Sequence, residues 1–164
     1  MMKIYDTVYF GDAATFAAAV NLPSVCVGNA QVKLAAGIEA TKLEHQHRPT
    51  YAQESAATAA DETRVVHVVK GATGSLQAFS AGCVVANIGD SAITVDLHKN
   101  GVTVLTAPIS LSSTDSAYDV VAGVLASDAV VVGDVLEVVV DATVGTGTLG
   151  TGVFASLDLH EDES

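Results

Sequence analysis

Residues 91–99 alternate strictly, with Ile93, Val95 and Leu97 in one set and Thr94, Asp96 and His98 in the other. Successive side chains of a β-strand point to opposite faces, so this spacing predicts a strand buried on one side and solvated on the other. Asn100-Gly101 follows at once. Both positions tolerate the positive φ of a type I′ turn, and residues 102–107 supply a return strand. Pro108 marks its end, because proline cannot donate to a ladder. A chain committed to this hairpin must build a sheet around it.

The rest of the chain after residue 63 has the same character. Residues 63–70, 75–79, 83–88, 118–125, 134–141 and 153–159 read as short strands rich in β-branched side chains. Between them lie polar or glycine-bearing stretches: 71–74, 89–90, 112–116, 127–133 and the Gly/Thr turn 145–150, read as a hairpin turn. Residues 109–111 lead into the polar loop 112–116. About eight strands at roughly ten-residue spacing predict an all-β fold, an antiparallel β-sandwich of jelly-roll-like type. Composition agrees, since hydrophobic residues reach 49% while charged residues are 16% and aromatics 5%. Val and Ala carry that apolar weight, and the Leu, Glu, Lys and Arg that long helices favour are scarce.

A break in composition near residue 60 divides the 164 residues into an arm, 1–62, and a sandwich domain, 63–164. Residues 13–20 are Ala-rich and weakly helical, with Asp12 as a cap and Pro23 beyond the end. Residues 31–43 are short apolar pieces around Gly37, and 44–49 (EHQHRP) are polar. This density of apolar residues is too low for a separate core, so the segment is expected to be extended and to order by lying on another surface.

The formal net charge of −12, from 19 acidic and 7 basic residues, disfavours nucleic acid as a partner, because phosphate binding depends on Lys and Arg. Anionic membrane surfaces are disfavoured for the same reason. Residues 1–9 carry a single Lys and alternate polar with apolar residues, unlike a secretory signal, and no apolar run is long enough for a spanning helix. Synthesis in the cytoplasm and solubility are the expectation. Cys26 and Cys83 sit in apolar runs as small hydrophobes, and two cysteines give at most one disulfide.

Few residues point to chemistry. His45 and His47 stand at i and i+2, so on an extended segment they face the same way and could hold a metal with Glu44 or His67, or respond to pH. No Cys pair or H-E-x-x-H spacing supports the metal, and contacts in an interface or loop are the simpler reading. Asp90, Asp96, Asp115, Asp119, Asp128, Asp134 and Asp141 lack D-x-D-x-D spacing and read as turn and edge carboxylates rather than a Ca²⁺ site. Asp158, Glu161, Asp162 and Glu163 read as a charge run, the last of it in a frayed, solvated tail, 160–164. Residues 145–150 lack the Lys and helix of a phosphate loop, and Ser110, Ser112 and Ser113 lack a nucleophile elbow. With no Trp and only 4 Tyr, platforms for sugars are also scarce. The expectation is a binding protein with no catalytic residues, no cofactor and no metal.

Two stretches carry a resemblance. Residues 29–43 (NAQVKLAAGIEATKL) look like an N-x-x-I-x-x-x-A-x-I-x-A-x-K-L phrase of tailed-bacteriophage structural proteins. Residues 94–108 (TVDLHKNGVTVLTAP), with 133–138 (GDVLEV) and 147–150 (GTLG), are similar to small jelly-roll proteins of phage particles, typically capsid decoration (cement) or fibre components. The resemblance spans Asn29 to Leu159 in structural rather than catalytic motifs. It implies a location on the outer capsid surface of a virion, a homotrimer, and the major capsid protein as partner. The candidate contact residues are Leu34, Ile38, Leu43, His45, His47, Arg48 and Tyr51. Two alternatives remain: a fibre, collar or receptor-binding component that recognises a cell-surface glycan, and a carbohydrate-binding or hydrolytic sandwich.

Overall fold

A computed structural model of the chain describes residues 45–162. They form eleven strands: β1 (His45–His47), β2 (Thr50–Ala52), β3 (Glu62–Val68), β4 (Thr73–Val85), β5 (Ala92–Lys99), β6 (Val102–Thr103), β7 (Ile109–Leu111), β8 (Val121–Ala122), β9 (Ala129–Val131), β10 (Val135–Thr143) and β11 (Thr151–Glu161). The first sheet runs β1-β11-β4-β8, with β2 also on β11 and β9 also on β4. The second runs β3-β10-β5-β6, with β7 also on β5. Every pairing is antiparallel. The fold is all-β, with two antiparallel sheets packed as a sandwich.

The alternation of residues 91–99 sets the core as expected. Ile93, Val95 and Leu97 are fully buried and meet Leu136, Val138 and Val140 of β10 beneath the second sheet. Leu76, Phe79, Ala81, Leu157 and Leu159 face them from the first sheet. Fully burying a side chain of this size contributes ~1.5–3 kcal/mol, so this paired inner surface dominates the stability. The turn is also as expected, with φ of 53° at Asn100 and 79° at Gly101. Asn100 adds what spacing could not show: its Nδ2 donates to Asp134 at 2.7 Å and its Oδ1 accepts from the Val135 amide at 2.9 Å. The turn is therefore tied to the start of β10.

Elsewhere the strand pattern is corrected. Residues 75–79 and 83–88, expected as two strands, are mostly one, β4, which begins at Thr73 and ends at Val85. It stays continuous because β11 pairs along nearly all of it, and the irregularity at Asp158/Leu159 is absorbed without ending the ladder. The expected strand over 102–107 is regular only at Val102–Thr103. The loop expected over 127–133 contains β9. Residues 145–150 do not close a hairpin, since β10 and β11 belong to different sheets. They cross between the sheets and are held by a reciprocal backbone pair between Ile88 and Thr148, at 2.9 and 3.1 Å.

Residues 45–62, assigned by composition to the arm, include two strands of the first sheet. His45–His47 pairs with Leu159–Glu161, and Thr50–Ala52 with Phe154–Ser156. The surface on which this stretch orders is the chain's own β11. Composition hid this, because two three-residue edge strands need little apolar weight of their own. The preceding part of the arm lies outside the described residues.

The tail is corrected too. His160 and Glu161 are the last residues of β11, and Glu161 is 3% exposed. Among the described residues no helix is long and apolar enough to cross a membrane.

Candidate interaction surfaces

Two regions of the sandwich carry side-chain arrangements beyond ordinary core packing. One is the seam where β1 and β2 of the first sheet meet β3 of the second. The other is the outer face of the first sheet.

At one end of the seam, Tyr51 lies in the core and its hydroxyl donates to Glu62 Oε2 at 2.7 Å. The Arg64 guanidinium sits 5.1 Å from the Tyr51 ring centroid and donates to the Ala52 carbonyl at 3.2 Å. Burial, then the bond to Glu62, pushes the Tyr51 phenol up to about 12. The same hydroxyl is the main influence that holds the Glu62 carboxyl below the usual glutamate range. A partner protein would not reach this ring.

At the other end, β1 places His45 opposite Glu161 and His47 opposite Leu159, so both histidines share the inner side of the sheet with Glu161. His67 reaches the same spot from β3 and donates from Nε2 to Glu161 Oε1. The His47 Nε2 lies 3.9 Å from that same oxygen. The rings of His47 and His67 are 5.1 Å apart and tilted, while those of His45 and His47 stack at 6.2 Å. Glu161 Oε2 accepts the backbone N–H groups of Lys70 at 2.9 Å and Gly71 at 2.6 Å. Burial is the largest influence on Glu161 and pushes its carboxyl up. The hydrogen bonds from His67, Gly71 and Lys70 together outweigh it, and the group is held below the usual range.

The tertiary fold therefore brings His45 and His47 to His67, as the alternation of the sequence allowed, but the carboxylate is Glu161 from the far end of the chain. Among the described residues no group of three His, Cys, Asp or Glu has the arrangement to hold a metal ion. Arg48 is exposed and pairs with Asp158 at 3.1 Å. Leu34, Ile38, Leu43 and Glu44 lie outside the described residues.

On the first sheet's outer face, strand register sets two rows. Ala122, Ser80, Ser156 and Thr50 follow one another across β8, β4, β11 and β2. Beside them run Gly82, Phe154 and Ala52. Neither row contains a charge, although solvated faces of antiparallel sheets are ordinarily polar. At the β8 edge the chain continues this surface. Val121 and Leu125 turn inward and pack on the core. Tyr118, Val120 and Val124 turn outward and are 68%, 64% and 64% exposed, with Ala122 and Ala126 exposed between and beyond them.

Hydrogen bonds hold this edge against β4: Tyr118 N–H to Cys83 O at 2.8 Å and Gly123 N–H to Phe79 O at 2.9 Å. The strand expected over 118–125 is nonetheless regular only at Val121–Ala122, and Tyr118 sits in a turn with φ 65°. Further on, Thr106 N–H to Val124 O and Ala126 N–H to Val104 O, both 2.8 Å, carry the segment over to the second sheet. Gly82 makes the close approach possible, because a Cβ there would collide with the Asp119 carbonyl and lie 2.6 Å from the Phe154 ring. The sequence carried a sign of this surface: Tyr118, Val120, Ala122, Val124 and Ala126 are a period-two apolar set. Its direction was hidden, since Val121, Gly123 and Leu125 form an equally apolar set in the alternate positions.

Other chemistry-bearing residues have structural roles. Asp90 Oδ1 accepts the Thr146 amide and the Thr146 hydroxyl, which hold its carboxyl below the usual range. Ser112 Oγ donates to Asp115 at 3.1 Å, and Ser113 Oγ to the Gly89 carbonyl at 2.7 Å. Cys83 is a buried free thiol whose pKa is raised by burial and then by Asp115. Cys26 lies outside the described residues. Gln77, Ser127 and Asp128, with Leu76, Leu125 and Ala126, line an open groove of about 410 Å³. No protein-family model matches the chain, and no curated protein matches its sequence.

Proposed function

We propose that this chain is a structural virion protein that decorates and stabilises a phage capsid. The segment before the sandwich binds the major capsid protein, and the sandwich associates with copies of itself. One observation supports self-association through a defined surface: the two uncharged rows on the first sheet's outer face, Ala122-Ser80-Ser156-Thr50 and Gly82-Phe154-Ala52, flanked by the exposed Tyr118, Val120 and Val124, on a protein of net charge −12. Two acidic bodies repel each other over most of their area, so copies approach at least cost where neither brings a carboxylate. The phage particle itself rests on the resemblance of residues 29–43 and 94–108 to phage structural proteins.

The test has two parts. Sedimentation equilibrium of the full chain should give an oligomer, and the double variant Val120→Glu with Val124→Glu should weaken association at least tenfold without changing the unfolding midpoint. Purified protein should also bind capsid shells that lack it, at copy numbers in the hundreds. A chain that stays monomeric and leaves such shells bare would overturn the reading. A handful of copies per particle would turn it to a fibre or collar component.

A further inference from the structure

We infer that Asn100 is a site of spontaneous deamidation, that its clamp to Asp134 sets the rate, and that the product can no longer dock on β10. Asn100 and Gly101 are both exposed, and there is open space around the position a Cβ would take on Gly101. Lacking a side chain, Gly101 leaves its amide nitrogen open to the Asn100 side chain. That nitrogen attacks Asn100 Cγ. A C–N bond forms and closes a five-membered succinimide, and the bond from Cγ to Nδ2 breaks. Nδ2 leaves as ammonia with the proton given up by the Gly101 nitrogen. Water then opens the ring at either of its C–N bonds and leaves aspartate or isoaspartate.

The fold opposes this step. Asn100 Nδ2 donates to Asp134 Oδ1 at 2.7 Å and its Oδ1 accepts the Val135 amide at 2.9 Å, so both ends of the side-chain amide are fixed on β10. The Asn100 backbone N–H also donates to the Val135 carbonyl at 2.9 Å. Ring closure needs the main chain to rotate away from the left-handed conformation, φ 53°, that these bonds hold. Asp134 is itself anchored, being buried with its Oδ2 accepting the Val131 amide at 2.9 Å. That amide is the largest influence holding its carboxyl below the usual range, and the Asn100 bond and Lys99 act the same way. The clamp is therefore a hydrogen bond to a charged acceptor, the stronger kind. Asn87 differs: it is buried, bonded to the Leu111 carbonyl and the Gly150 amide, and followed by the bulky Ile88.

Once made, the change is one-way. Aspartate at this position sets a carboxylate against Asp134 where an N–H donated, and two carboxylates at that spacing repel. Isoaspartate carries the main chain through the side-chain carbon and lengthens a turn that two residues close. In either form the turn leaves the start of β10. β5 and β10 stay joined by the ladder from Leu136 to Thr143.

Peptide mapping by mass spectrometry tests this on the full chain, aged in mildly alkaline buffer at physiological temperature. Asn100 should turn slowly to aspartate and isoaspartate in the wild type, while Asn87 stays intact. Asp134→Ala removes the clamp and should raise the Asn100 rate at least tenfold, about the factor carried by one hydrogen bond to a charged group. Gly82→Ala strains the other sheet and should leave that rate close to the wild type's. Hydrogen exchange reads the second half of the inference. Asn100→Asp should lose protection at the amides of residues 100 and 135 and keep it in β4 and β11. Asp134→Asn added to that variant restores a donor–acceptor pair with the roles exchanged, so the protection should return. An Asn100 that stays intact in Asp134→Ala overturns the inference. So does a rate in Gly82→Ala as high as in Asp134→Ala, or an Asn100→Asp turn as protected as the wild type's.

Discussion

The Tyr51 hydroxyl donates to Glu62 across 2.7 Å and so joins β2 of one sheet to β3 of the other. Replacing Tyr51 with Phe keeps the buried ring but leaves Glu62 without its phenol partner. We expect a loss of about 1 kcal/mol by urea unfolding for Tyr51→Phe, against ~3–5 kcal/mol for Tyr51→Ala, which also opens a cavity. Alkaline titration followed by ultraviolet absorbance should show a phenol at about 12 in the wild type and none in Tyr51→Phe.

Glu161 gives a pH-dependent contribution of definite sign. Its carboxyl is held below the usual range in the folded state, so its stabilisation is present above the unfolded value of about 4.3. It is lost as pH falls through the lowered folded value. Glu161→Gln keeps the side-chain volume and removes the charge, so it should cost about 2 kcal/mol near neutral pH. That difference should shrink towards zero in strong acid. Thermal melts of the two proteins across that range will show whether the curves converge.

The turn at residues 100–101 separates backbone strain from side-chain bonding. Gly101 has φ 79° and open space around the position a methyl group would take, so Gly101→Ala should cost about 1 kcal/mol through backbone conformation alone. Asn100→Ala should cost about 2 kcal/mol, because the bonds to Asp134 and Val135 go as well. Denaturant unfolding of the two variants should rank them in that order.

Gly82 predicts an effect on the outer face. A methyl group there collides with the Asp119 carbonyl, so the backbone around Asp119 must move off β4. Gly82→Ala should destabilise by ~1–3 kcal/mol and increase proteolytic nicking between residues 116 and 120. It should also weaken self-association, since Tyr118 and Val120 flank the displaced residue.

How much was legible depended on the range of the contact responsible. The inward set of the strand at 91–99 and the Asn100-Gly101 turn are set by neighbours in sequence, and both stand as expected. The other face of the strand does not, since Asp96, read as solvated, is buried and accepts the Leu97 amide and the Thr103 hydroxyl. The seam was legible only in part. His45 and His47 were visible as a pair facing one way, but Glu161 read as part of a solvated run because nothing near it in sequence reveals that it is buried. Its partners are Lys70, Gly71 and His67, some ninety residues away. Tyr51 read as a candidate contact residue for a similar reason: the carboxylate that fixes it belongs to another strand and another sheet.

By itself, the sequence determined the all-β class, the hairpin and the inward set Ile93, Val95 and Leu97, because alternation and turn chemistry act over a few residues. Only the tertiary structure decided that residues 45–52 belong to the first sheet, that Glu161 closes a histidine cluster, and which of two apolar sets between residues 118 and 126 faces outward. Each of those outcomes depends on strand pairing between distant segments. The free energy of such pairing is shared between both partners, and neither partner's local sequence carries it alone.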